Sequence, residues 1–121
     1  MINSVNKEYV PKRLKAEIQV RFGSPDGALL SGFSIDISTG GLYLRTNFQL
    51  KIGDILILRF TLLGQDKEIS CPSRVAWVNN QENPCNPELP PGVGLQFVDI
   101  PFEDAKAIGR FLKHNDIQPT W

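Results

Sequence analysis

Hydrophobic and polar residues alternate along much of this chain, starting at Ala16. Ala16, Ile18, Val20 and Phe22 are separated by polar side chains, and this period of two is typical of a strand with one buried face. Turn-forming residues at 23–27 end the strand. Comparable patterns predict five further strands, over residues 28–37, 42–46, 55–63, 68–78 and 92–98.

The sequence allows more specific predictions for three of these strands. The run 55–63 is nearly continuous in apolar residues, as expected for a strand covered on both sides. Pro72 lacks the N–H that a sheet requires, so it predicts a bulge or an edge position in 68–78. The second strand is expected to place three hydrophobic residues on one face: Phe33, Ile35 and Ile37.

The pattern changes towards the end of the chain. Residues 79–91 contain four prolines and predict a long loop. After it, apolar residues recur at helical spacing, at Phe102, Ala105, Ile108 and Leu112. Acidic residues begin this segment and basic residues end it, which suits the helix dipole. Several short strands followed by one amphipathic helix predict a small closed antiparallel barrel with a helix over one opening or flank.

Composition narrows the possible functions. The 121 residues are enough for a single domain, and 13 basic and 13 acidic side chains give a net charge of +0. A protein that binds long nucleic acid usually has a strong positive excess, so long DNA or RNA is not expected as a partner. The N-terminus has no apolar signal region and no run is long enough to span a bilayer. We therefore expect a cytoplasmic protein without membrane insertion.

Few residues offer catalytic or metal chemistry. Cys71 and Cys85 lack the spacing of metal ligands and are interpreted as reduced thiols, with one intramolecular disulfide left open. The single histidine, His114, is interpreted as a helix-end residue. Because the sequence contains no recognisable pairing of a nucleophile with a base, we do not expect an enzyme.

One polar segment stands out, namely Asp36-Ile37-Ser38-Thr39-Gly40-Gly41. A carboxylate can accept hydrogen bonds from a guanine edge, while a hydroxyl and backbone amides can donate to phosphate. Alternatively, Asp36 and Ser38 only satisfy local backbone groups at a β corner. The basic residues Lys12 and Arg13 precede the first strand, either as an anion-binding arm or as a solvated leader.

The ordered combination of segments resembles the PilZ domain family. Residues 36–41 match that family's motif Asp/Asn-x-Ser-x-x-Gly, and they follow the basic arm at a suitable distance. Segments 42–44, 52–54, 75–78 and 92–97 also look like PilZ strands and turns, in the same order. The resemblance covers about residues 9–113. It implies a six-stranded antiparallel β-barrel followed by a C-terminal α-helix.

The resemblance also implies a ligand, the second messenger cyclic di-GMP, and no other cofactor. PilZ domains bind it with an Arg-x-x-x-Arg motif on the N-terminal arm and with the Asp/Asn-x-Ser-x-x-Gly corner. Arg13 matches the second arginine of that motif, whereas Tyr9 occupies the first position. Lys12 can supply a point charge, and Trp77 is either a stacking partner or an ordinary structural tryptophan. The resulting ligand-binding candidates are Tyr9, Lys12, Arg13, Asp36, Ser38, Gly40, Gly41 and Trp77.

These inferences lead to one main hypothesis and one alternative. The chain is expected to be a single domain over 1–121, with a mobile arm at 1–13, a barrel at 14–98 and a helix at 101–114. As a cyclic di-GMP receptor it would signal to a protein partner when ligand orders the arm. The alternative is a degenerate PilZ domain that binds no nucleotide and acts as a protein-interaction adaptor in pilus or motility assembly.

Overall fold

The computed structural model describes residues 14–115. They form seven strands and one helix in chain order. The elements are β1 (Leu14–Lys15), β2 (Gln19–Gly23), β3 (Leu30–Ile37), β4 (Gly41–Arg45), β5 (Ile55–Thr61), β6 (Glu68–Asn79), β7 (Gly92–Phe97) and α1 (Phe102–Asn115).

The strands close into an antiparallel barrel. Their order is β1-β3-β2-β5-β6-β7-β4, and a further pairing of β4 with β3 completes the circle of six strands from β2 to β7. The two-residue strand β1 adds to β3, with Leu14 opposite Ile37 and Lys15 opposite Asp36. Closure leaves the six strands without a free edge. The expected six-stranded barrel with a C-terminal helix is therefore confirmed, with β1 as an extra strand.

Alternating side chains fill the interior. On β2, Val20 and Phe22 are buried while Gln19 and Arg21 are exposed, as the period of two predicted. The helix α1 adds Ile108, Phe111 and Leu112 to the same core. The remaining core residues come from the other strands and their ends: Ile37, Leu42, Leu44, Leu56, Leu58, Phe60, Leu62, Ile69, Cys71, Val75, Val93 and Leu95.

A β-bulge corrects the predicted inner face of β3. Phe33 is 40% exposed, whereas Ser34 is fully buried. The pairing with β4 shifts between Ser34 and Asp36, so Ile35 is an extra residue and the next inward position is Ile37. Ser34 compensates for its burial because its hydroxyl donates to the carbonyl of residue 16 and accepts from the amide of residue 18. A bulge of this kind leaves no mark in the hydrophobic pattern.

The expectation that β5 is covered on both faces is wrong. Leu56, Leu58 and Phe60 point inward, but Ile55 is 43% exposed, and Leu63, just after the strand, is 83% exposed. A small barrel has one packed interior, and an apolar run does not reveal that its other face meets solvent.

Pro72 lies at an edge position of β6, as expected. It is paired with Ile57 of β5, whereas the pairing of β6 with β7 begins only at Ser73, and the bulge of β6 falls at Ala76. The proline is tolerated because it faces the end of β7, where its carbonyl accepts from the amide of Val98 at 2.9 Å.

Phe102 differs from the expected helical pattern. It is 73% exposed, while Asp104 is buried in the first turn of α1, with Lys67 Nζ 3.2 Å from its carboxylate.

Candidate functional site

The corner between β3 and β4 is held by its own hydrogen bonds. The amide of Ser38 donates to the carbonyl of Gly41 at 2.8 Å. The Ser38 hydroxyl, which is only 1% exposed, accepts from the amide of Gly40 at 3.1 Å and donates to the carbonyl of Gly41 at 3.4 Å. The Ser38 side chain therefore sets the shape of the corner from within, as the local-backbone alternative anticipated.

A row of outward-facing residues crosses four strands beside this corner. Asp36 on β3 is opposite Tyr43 on β4, Tyr43 is opposite Gly94 on β7, and Gly94 is opposite Trp77 on β6. Residues far apart in sequence thus become neighbours on the outside of the barrel, because adjacent strands lie about 4.8 Å apart.

Gly94 makes room for the tryptophan. A Cβ atom at this position would lie 1.9 Å from Trp77 Nε1, so any side chain would collide with the indole ring. Trp77 consequently lies across Gly94 and contacts the Tyr43 ring, with ring centroids 5.3 Å apart and planes tilted by 30°. Trp77 is therefore half-buried and Tyr43 fully buried next to the polar corner.

The corner and the aromatic pair line one concave pocket of about 460 Å³. Asp36 stands at one side and Trp77 at the other. Backbone of the glycine corner and of β7 contributes to its walls. The lining residues are Asp36, Ser38, Gly40, Gly41, Leu42, Tyr43, Ala76, Trp77, Leu89, Gly94, Leu95 and Gln96.

Tyr43 and Asn79 fasten the loop 80–91 to the rim of this pocket. The Tyr43 hydroxyl donates to the carbonyl of Pro90 at 2.6 Å. The side-chain amide of Asn79 donates to the carbonyl of Asn86 at 2.9 Å, and its oxygen accepts from the amide of Asn86 at 2.8 Å. Burial raises the pKa of Tyr43, a nearby Asp36 charge raises it further, and hydrogen bonding with Asn79 opposes both. Tyr43 is therefore a neutral hydrogen-bond donor at ordinary pH.

Five of the eight ligand-binding candidates meet in the pocket, namely Asp36, Ser38, Gly40, Gly41 and Trp77. The other three, Tyr9, Lys12 and Arg13, lie outside the described residues. The described chain begins at Leu14, opposite Ile37 and so beside the corner.

Three residues of the site had no assigned role at the level of sequence. Tyr43 and Asn79 read as ordinary strand residues, and their partners in the loop are identifiable only in three dimensions. Gly94 offered a signal, because a glycine inside a strand often marks the close approach of another group. That group, Trp77, lies on a different strand.

Other chemistry is limited within the described range. Cys71 is buried and Cys85 exposed, and both are free thiols, so the disulfide left open above does not form. No three His, Cys, Asp or Glu side chains among residues 14–115 are grouped to hold a metal ion. Within the same residues, no helix has the length and hydrophobicity needed to cross a bilayer.

The protein-family model of the PilZ domain matches residues 10–114 of the chain. No curated protein matches the chain. The match to the PilZ model spans all seven strands and almost all of α1.

Similar solved structures share the fold. The Bacillus subtilis inhibitor of motility, MotI/DgrA, superposes with a TM-score of 0.71 at 18% identity, over 86% of this chain and 49% of that one. This chain thus spans about half the length of that protein. The PilZ domain of CeSA from a cellulose-synthesizing bacterium gives 0.62 at 18% identity, over 88% and 99% of the two chains. The PilZ domain of Escherichia coli YcgR with c-di-GMP gives 0.65 at 15%, over 88% and 89%.

Proposed function

The chain belongs to the PilZ domain family, and from that premise we propose that it is a cyclic di-GMP receptor that signals to a protein partner. PilZ domains are effector domains that bind this dinucleotide and are not enzymes. The related domain of E. coli YcgR was solved with c-di-GMP. The observation that carries the proposal for this chain is the pocket that joins Asp36 and the glycine corner to Trp77.

Each side of the pocket suits a different part of the ligand. Asp36 offers carboxylate oxygens to the N–H edge of a guanine. The indole of Trp77 offers a flat surface on which a base can stack, a contact worth about 1–3 kcal/mol per base. Ser38 acts indirectly in this scheme, because its hydroxyl fixes the backbone of Gly40 and Gly41.

The phosphates require positive charge, which we assign to the arm. Arg13 precedes Leu14 directly, and Leu14 is opposite Ile37 at the edge of the corner. A guanidinium at this place can bind phosphate through two parallel hydrogen bonds, with Lys12 adding a point charge. We propose that ligand orders residues 1–13 over the barrel of 14–98, and that the helix of 101–114 completes a single domain over 1–121.

Tyr9 sets the expected strength of binding. A tyrosine in the first position of the Arg-x-x-x-Arg motif can stack or donate one hydrogen bond, but it cannot supply a second charged fork. Loss of a charge-assisted hydrogen bond costs about 1.5–3 kcal/mol, so we expect affinity one to two decades weaker than an intact motif would give.

The second candidate function is an adaptor that binds no nucleotide and acts in pilus or motility assembly. Two observations favour it, the tyrosine at position 9 and the similarity to an inhibitor of motility.

Calorimetric titration with cyclic di-GMP at physiological salt separates the two. The receptor predicts saturable binding that Asp36→Ala and Arg13→Ala each weaken roughly ten- to a hundredfold. Arg45→Ala serves as the control, because Arg45 lies at the end of β4 away from the corner. Absence of any heat of binding at high micromolar ligand would reject the receptor and leave the adaptor as the remaining candidate function.

A further inference from the structure

The outer surface of β5 and β6 combines arginines with exposed apolar residues. The two strands pair in register, and alternate residues of each point away from the core. Three cross-strand rows result: Arg59 beside Ser70, Ile57 beside Pro72, and Ile55 beside Arg74. We call this surface, formed by Ile55, Ile57, Arg59, Ser70, Pro72 and Arg74, the arginine face.

The two arginines lie at opposite corners of an apolar strip. Arg59 and Arg74 are both exposed, and Ile57 and Pro72 lie half-buried between them. Within residues 14–115, neither arginine has a carboxylate within ion-pair distance. By contrast, Arg21 binds Glu68 at 2.8 Å.

A repulsive contact accompanies this arrangement. Arg21 on β2 is directly opposite Arg59 on β5, and like charges in such cross-strand positions destabilise a sheet. Glu68, the acidic residue bordering this pair, is already bound to Arg21. Arg59 is therefore left with a surplus positive charge that a carboxylate from outside would neutralise.

The strip continues into an apolar groove of about 500 Å³ at the end of the barrel. Ile55 lines this groove together with Leu30 and Phe48, and these three side chains are 43%, 41% and 56% exposed. Among the described residues, Asp54 is the one carboxylate in its lining, and it accepts a hydrogen bond from the amide of Lys51 at 2.9 Å. The groove thus offers apolar side chains a place beside the two arginines.

We propose that the arginine face binds an acidic segment of a partner protein, with carboxylates on Arg59 and Arg74 and an apolar side chain on the strip between them. The proposal identifies the partner's chemistry and in that respect rests on the proposed signalling function. Two arginines around an apolar centre suit a short acidic segment better than a nucleic acid, which needs a row of cations. A second copy of the same face would oppose arginine with arginine.

The arginine face borders the pocket without overlapping it. Gln96 on β7 lines the pocket and is the direct neighbour of Arg74 on β6. Arg59 lies one strand further away, on β5. The two surfaces share no residue, so they can be tested separately.

The test uses a synthetic peptide of twelve glutamate and leucine residues in amphipathic order, and a matched peptide with lysine for each glutamate. Amide NMR of the labelled full chain should show shifts at 55–59 and 70–74 with the acidic peptide only.

Substitution of the two arginines tests their role in this binding. Arg59→Glu and Arg74→Glu should each weaken binding of the acidic peptide roughly tenfold or more. Binding should also weaken as salt rises from about 50 to 300 mM. Arg45→Glu, on a strand across the barrel, makes the same change in net charge and should leave binding nearly unchanged.

Several results would overturn the proposal. The proposal fails if the acidic peptide does not bind, or if its amide shifts are confined to other surfaces. It also fails if Arg59→Glu, Arg74→Glu and Arg45→Glu all lose the same amount of affinity for the peptide. Binding of an anionic vesicle or of single-stranded DNA through the same arginines, but not of the peptide, would also reject a protein partner. Self-association through this face, seen by analytical ultracentrifugation, would identify a second copy instead. Calorimetry with cyclic di-GMP keeps the two proposals apart. A wild-type chain that binds the peptide but not the nucleotide would reject only the receptor, and Arg59→Glu should still bind the nucleotide because Arg59 does not line the pocket.

Discussion

At the scale of single residues, the contact between Gly94 and Trp77 shapes the pocket. The indole occupies the space that a side chain at position 94 would need, and the register between β6 and β7 keeps the two residues opposite each other. The Tyr43 ring then packs against the indole. The pocket wall therefore depends on a missing side chain as much as on an aromatic one.

Replacing Gly94 by alanine should displace Trp77. The new methyl group would overlap the indole, and overpacking of this kind costs about 1–3 kcal/mol of unfolding free energy. Urea unfolding measures the loss, and Trp77 emission in a Trp121→Phe background should move to longer wavelength as the ring enters water. Gly109→Ala is the control, because a Cβ there meets nothing within 4 Å in α1 and should stabilise the helix by up to about 1 kcal/mol. Unchanged stability and emission in Gly94→Ala would contradict the packing described.

The two cysteines should differ in reactivity and in pH dependence. Burial raises the pKa of the Cys71 thiol to about 11 from its ordinary 9.0, and the charge of Asp104 raises it further. The unfolded chain ionises first, so the stability linked to this thiol is present below about pH 9 and is lost as pH rises towards 11. A thiol reagent at pH 8 should label exposed Cys85 at once and Cys71 only on unfolding.

The variants that check this pH dependence are Cys71→Ala and Cys85→Ala. Cys71→Ala should lower stability throughout, since it leaves a cavity, but with a shallower decline between pH 9 and 11. Cys85→Ala should follow the wild-type curve. A Cys71→Ala curve that declines as steeply as the wild type would show that this thiol contributes nothing.

At the scale of elements, the loop 80–91 is held to the barrel by the end of β6. Asn79 is 2% exposed and makes reciprocal hydrogen bonds with Asn86, and Tyr43 secures Pro90 from β4. Leu89, between these two attachment points, lines the pocket. The loop thus belongs to the site although it contains no element of regular structure.

Asn79→Ala should release the loop while the barrel stays folded. It leaves buried polar groups of the loop without partners, at a cost of about 1–3 kcal/mol. Hydrogen exchange of the amides at 86 and 89 should accelerate. Affinity for cyclic di-GMP should fall, because Leu89 of the loop lines the pocket. Asn80→Ala is the matched control, because Asn80 is the exposed neighbour. Unchanged exchange at residue 86 would contradict the role assigned to Asn79.

The elements also show what a sequence can predict. Strand positions and α1 follow from periodicity because each element buries one face, and the loop follows from its four prolines. The bulges at Ile35 and Ala76 could not be predicted, since each inserts a residue without changing composition. These bulges and the register between strands bring Asp36 and Trp77 to one pocket. Both residues were foreseen as candidates on chemistry and family resemblance, while Tyr43, Asn79 and Gly94 act only through three-dimensional neighbours.

At the scale of the whole molecule, one barrel carries two outward surfaces. The pocket lies over β3, β4, β7 and β6, and the arginine face lies over β5 and β6. Gln96 and Arg74 are direct neighbours where the two surfaces meet. The two surfaces are therefore adjacent but share no residue.

The central claim is that cyclic di-GMP binds at the corner pocket, and amide NMR during a titration of the labelled full chain tests it most directly. We expect saturable shifts at 36–41, at the Trp77 indole N–H and at Gly94, with Arg59 and its strand neighbours nearly unaffected. Signals of residues 9–13 should shift with the same affinity as the arm closes over the ligand. No shifts at millimolar ligand, or shifts that saturate elsewhere on the barrel, would contradict the account.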